Sequence, residues 1–78
     1  MMDHSLLIPG NLYVFKGKGL RTYNVWVGLD TKQINSKSVI LYIGPCEDYP
    51  TMHTFLHSQY QLIDMPRNTV DDLKEVKS

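Results

Sequence analysis

Two histidines four residues apart, a lone cysteine and two lysines alternating with two glycines are the residues with the most obvious chemistry to offer. His53 and His57 would share one face of a helix, the spacing that lets two imidazoles grip zinc. Cys46, Glu47 and Asp48 lie close enough in sequence to add ligands. The zincin pattern needs a glutamate directly after its first histidine, and Thr54-Phe55-Leu56 stands between these two instead. If the segment is a strand, a turn interrupts the spacing. The metal reading through Cys46, His53 and His57 therefore ranks last, and no metal ligand or cofactor is assigned. A nucleophilic Cys46 would need a base and an electropositive setting. Glu47 and Asp48 beside it carry the wrong sign to support a thiolate.

Lys16-Gly17-Lys18-Gly19 lacks the spacing and the Lys-Ser/Thr ending of a phosphate loop, and it lacks the dinucleotide glycine pattern. It reads as a solvated turn. Its surroundings are more suggestive, because Lys16, Lys18 and Arg21 are interleaved with Tyr13, Phe15, Tyr23 and Trp26. Cations on phosphates and rings on bases are how single strands are gripped. A core role for most of these rings competes with that reading. These seven residues are the candidate binding set. The carboxylates Asp71, Asp72 and Glu75 form an acidic run with no opposing partner, so no acid–base pair emerges and the chain is expected not to be an enzyme.

Composition narrows the classes further. Eight basic residues balance eight acidic ones, which weakens a nucleic-acid reading because such domains are usually clearly basic. The charge is divided unevenly: residues 1–45 hold five basic groups against two acidic, and residues 46–78 hold three against six. Such a division can mark a basic face, although folding the halves together would mix it. Cys46 is the single cysteine, so no intrachain disulfide forms, which fits a reducing compartment. The longest apolar run, Val39 to Ile43, is far short of the ~20 residues that span a bilayer. The first residues lack the basic start of a secretory signal. The expectation is a cytoplasmic protein with no membrane partner.

The elements that must position these residues are short and mostly extended. Pro9-Gly10-Asn11 is a turn signal, and the β-formers after it predict a strand over 11–16. A second strand is expected over 23–29, with Tyr23, Val25, Val27 and Leu29 on one face and Trp26 on the other. Asp30 to Ser36 is polar and reads as a turn region. Ser38 to Ile43 is nearly all apolar, the pattern of a central strand buried on both faces. Met52 to Leu56 is ambiguous; Thr54 and Phe55 favour a strand over a helix, with a turn at His57-Ser58 and a return strand over 60–65. After Pro66, Asn68 or Thr69 can cap a helix whose apolar stripe is Val70, Leu73 and Val76.

Seventy-eight residues make one small domain, divided here into an N-terminal arm (1–8), a barrel (9–65) and a C-terminal helical segment (66–78). Five strands and a late helical turn resemble the plan of SH3-like small barrels. The resemblance is architectural, spans 9–65, and carries no motif from which functional residues transfer. The expected fold is mostly β, a small five-stranded SH3-like barrel with a short C-terminal helix. The alternative is a twisted antiparallel sheet with one helix packed on a face.

Elimination leaves a binding function. The first expectation is a small non-enzymatic accessory protein that docks on a larger protein partner. Free-standing chains of this size are common among phage proteins, some of which modulate host enzymes, so a phage-type modulator is the associated expectation. Single-stranded nucleic-acid binding through 13–26 is the alternative, and the metal reading the second alternative. A homodimer is compatible with a marginal core that gains from covering Trp26 or a bare strand edge.

Overall fold

Alternation decides which side of each strand is buried. In β1 (Leu12–Phe15) Tyr13 and Phe15 point into the core, while Leu12 and Val14 point out. The same inside–outside rhythm runs through β4 (Ile40–Pro45), β5 (Met52–His57) and β6 (Gln61–Pro66), which bury Ile40, Tyr42, Phe55, Ile63 and Met65. The computed structural model describes residues 6–77, so most of the expected arm, residues 1–5, and Ser78 lie outside the described residues.

Seven strands form one antiparallel sheet in the order β3-β2-β6-β5-β4-β1-β7, curled into a half-barrel. The outer members of that list are β2 (Thr22–Val27), β3 (Asp30–Asn35) and β7 (Leu73–Glu75). The concave side holds the core. Tyr13, Tyr42 and Phe55 meet at its centre, with ring centroids 6.5 Å apart for Tyr13–Tyr42 and 5.1 Å for Tyr42–Phe55. Leu7 also reaches this core, and the Ile8 N–H donates to the Tyr13 hydroxyl at 2.9 Å. Residues 7–8 of the arm are thus held against the core.

Four expectations need correction. The described residues form seven strands, not five. Asp30 to Asn35 is a strand, because Gly28 takes a positive φ of 62° and closes a two-residue turn that lays β3 along the whole of β2. Its polar side chains suit an edge; Ile34 alone is buried, and Lys32 in mid-strand discourages further pairing. That turn also removes Leu29 from the second strand and leaves it exposed. Third, the strand expected at 38–43 runs 40–45 and is covered on one side only: Ile40 and Tyr42 are buried, whereas Val39 and Ile43 are open.

The C-terminal helix is the fourth. One turn, α1 (Arg67–Val70), replaces the helix expected to carry Val70, Leu73 and Val76, and neither Asn68 nor Thr69 is its N-cap; that place is Pro66, with no side-chain cap. The chain then turns at Asp71-Asp72 and pairs with β1 as β7. A lone short helix is marginal in water, whereas the free edge of β1 offers a ladder. The Lys16 N–H donates to the Asp72 carbonyl at 2.7 Å and the Val76 N–H to the Leu12 carbonyl at 2.9 Å. The Asn11 side-chain amide donates to Glu75 Oε1 at 2.6 Å. The strand reading of Met52 to Leu56 agrees with β5, and no described helix is long and apolar enough to cross a membrane.

Candidate functional site

The side chains that alternate away from the core come together on the convex side of the sheet. Registration aligns them: Leu12 stands opposite Leu41, Leu41 opposite Leu56, and Leu56 opposite Leu62. With strands ~4.8 Å apart, this row crosses β1, β4, β5 and β6 over about 14 Å. Leu12, Leu56 and Leu62 are exposed, Leu41 is half-buried, and Val76 adjoins the row beside Leu12. A second row holds Thr54, Asp64 and Trp26 in direct register. The register slips between Tyr42 and Gly44, and Ile43 in that slip is exposed on the same side.

Where the second row meets the loops, the face dips. Trp26, Gly28, Leu29, Tyr49, Met52 and Asp64 line a hollow of about 260 Å³. Its walls are the tip of the β2–β3 hairpin and the loop before β5. An adjoining hollow is lined by Glu47 and Asp48, with Ile43, Thr54, Leu62 and Asp64. The Thr54 hydroxyl donates to Asp64 Oδ1 at 2.5 Å, which fixes the carboxylate between the two.

The seven candidate binding residues do not form one surface. Tyr13 and Phe15 are buried, so their rings cannot stack on a base. Phe15 stacks on the half-buried Tyr23 at 3.8 Å, with planes within 6°. Arg21 lies 5.9 Å from the Tyr23 ring centroid and donates from Nη2 to the Lys16 carbonyl at 2.9 Å. Lys16 is half-buried and Lys18 exposed. Trp26 alone belongs to the convex face.

The histidines are separated by their strand. Both alternate inward with Phe55 between them, and four residues of strand put them about 13 Å apart, too far to share an ion. No group of three metal-ligating side chains occurs among the described residues. His53 Nδ1 lies 2.9 Å from the Tyr42 hydroxyl, whose pKa burial raises above its ordinary value.

His57 has a structural task. Its Nδ1 accepts the backbone N–H of Gln59 at 3.1 Å and of Tyr60 at 3.4 Å, closing the β5–β6 turn. An accepting Nδ1 carries no proton, so the neutral ring holds its hydrogen on Nε2, 3.3 Å from the Ser38 hydroxyl. Burial holds the pKa of His57 below its ordinary 6.5. The unfolded chain therefore takes up the proton first as pH falls. The stability His57 contributes is complete above about pH 6.5 and declines as pH drops from there through the folded value. His57→Asn keeps a turn acceptor without a titration. Urea unfolding of both proteins from pH 8 to 5 should show their stability difference shifting against the wild type below about 6.5; parallel curves would remove this role.

Comparison with protein-family models, curated proteins and solved structures finds no match. The residues of the convex face, apart from Trp26, are absent from the set chosen by residue type. Their signal is an outward leucine on each of four strands, which becomes one row only after registration.

Proposed function

We propose that the protein is a non-enzymatic docking module that presents its convex face to a larger protein partner. The observation that carries this is the leucine row, Leu12-Leu41-Leu56-Leu62, left open on a chain with little core to spare. Contiguous apolar patches on small domains mark interaction sites, whereas scattered exposed leucines need no explanation. Burying one such side chain fully is worth ~1.5–3 kcal/mol, so this row, with Trp26 in the row beside it, has the makings of an interface core.

The strand order supports reading the fold as an SH3-like plan with an addition. β7-β1-β4-β5-β6, with a helical turn between β6 and β7, gives five strands, and the β2–β3 hairpin is inserted between β1 and β4. In this reading the inserted hairpin builds one wall of the hollow, which gives it a role in recognition.

Affinity capture from a lysate of the source organism, with and without nuclease, tests the function. A protein retained after nuclease, reduced about tenfold or more by Leu56→Glu and unaffected by Lys18→Ala, is the expected result. Leu56 is exposed, so the substitution should leave thermal unfolding near the wild type. Loss on nuclease treatment would instead favour nucleic acid at Lys16, Lys18 and Arg21. A doubled mass in light scattering, abolished by Leu56→Glu, would make the occupant of the face a second copy.

A further inference from the structure

We infer that the hollow at the end of the face receives an arginine or lysine side chain from the docked partner. This rests on the docking reading and specifies the chemistry of one contact within it. At about 260 Å³ the hollow falls below the ~300–1,000 Å³ usual for small-molecule sites but suits one long side chain.

Its lining divides into two kinds. Leu29 and Met52 are apolar and match a methylene stem. Trp26 and Tyr49 offer aromatic rings, and a cation within about 6 Å of a ring centroid is attracted to its face. Asp64 adds a carboxylate that the Thr54 bond holds in place by one oxygen. The described residues give Asp64 that hydrogen bond and no ion pair, so its charge awaits a partner. Glu47 and Asp48 line the adjoining hollow, and among the described residues neither hollow has a basic residue in its lining. The field at this end of the face is therefore negative, while the remainder of the row is uncharged. A neutral apolar anchor would fill the same space but take water from Asp64 without supplying an opposite charge, which is costly.

Trp26 is the only tryptophan, so its fluorescence reports on the hollow directly. The probes are blocked pentapeptides identical except for a central arginine, lysine, norleucine or glutamate. The arginine and lysine peptides are expected to give saturable shifts, tighter than norleucine by about fivefold and weakened by salt. Asp64→Asn, which retains an acceptor for Thr54, should abolish most of that preference and leave norleucine unchanged. The double variant Glu47→Gln with Asp48→Asn, on exposed loop positions, should reduce it in the same direction without affecting folding. Norleucine binding as tightly as arginine, glutamate binding tightest, or no saturable response from either cation would overturn the inference. None of these results touches the docking reading, which stands or falls on capture by wild type against Leu56→Glu.

Discussion

Phe55→Ala should leave the protein unfolded at 25 °C. Phe55 is completely buried on β5, the middle strand of the sheet order, and its ring packs against Tyr13 at 6.5 Å and Tyr42 at 5.1 Å. Truncating a buried phenylalanine costs ~3–5 kcal/mol. A single core in a chain of this length supplies a similar ~3–5 kcal/mol in total. The loss thus consumes the whole margin, with no disulfide available to offset it. Phe55→Leu keeps most of the volume and should fold with a loss below about 2 kcal/mol. Circular dichroism and urea unfolding of both variants decide the matter. A cooperative transition for Phe55→Ala within about 1 kcal/mol of wild type would mean that the core is not organised around this ring.

Alternation was legible in the second strand, where Val25 is buried, Tyr23 and Val27 are half-buried on the same side, and Trp26 is exposed on the other. The polar stretch Asp30 to Asn35 was not legible as a strand, because an edge strand with one buried residue has no apolar alternation to show. Its structure comes from its partner, through a turn whose only local mark is Gly28. Val39 to Ile43 misled in the opposite direction. A continuous apolar run is the mark of a strand buried on both sides, yet here Val39 and Ile43 of the run are exposed.

That ambiguity explains why the candidate site was hidden. Residue types drew attention to cations beside rings, and the rings of Tyr13 and Phe15 proved to be core. The convex row is made of leucines, which have no distinctive chemistry, from strands up to fifty residues apart in sequence, Leu12 to Leu62. Only strand register brings them together. Asp64 became notable for the same reason: pairing with Thr54 and Trp26 sets a carboxylate between a hydroxyl and an indole, a relation that sequence order does not contain.

The C-terminal segment offers the sharpest contrast, and its second measurement separates two folds. Val70, Leu73 and Val76 recur every three residues, so a helical tail would bury all three and make each costly to truncate. As a strand, β7 faces Leu73 inward against the core and turns Val76 out, leaving Leu73 fully buried and Val76 exposed. Leu73→Ala should therefore cost ~2–5 kcal/mol, a large share of the margin of so small a core. Val76→Ala should stay within about 0.5 kcal/mol. Urea midpoints for the two variants give the comparison directly. Equal losses would restore the helix and remove the last strand from the sheet. The expected inequality would also bear on the proposed docking face, because Val76 is then free to extend the leucine row past β1 to the sheet's edge. A Val76→Glu variant that folds like wild type but loses captured partner would place the interface on all five strands from β6 to β7.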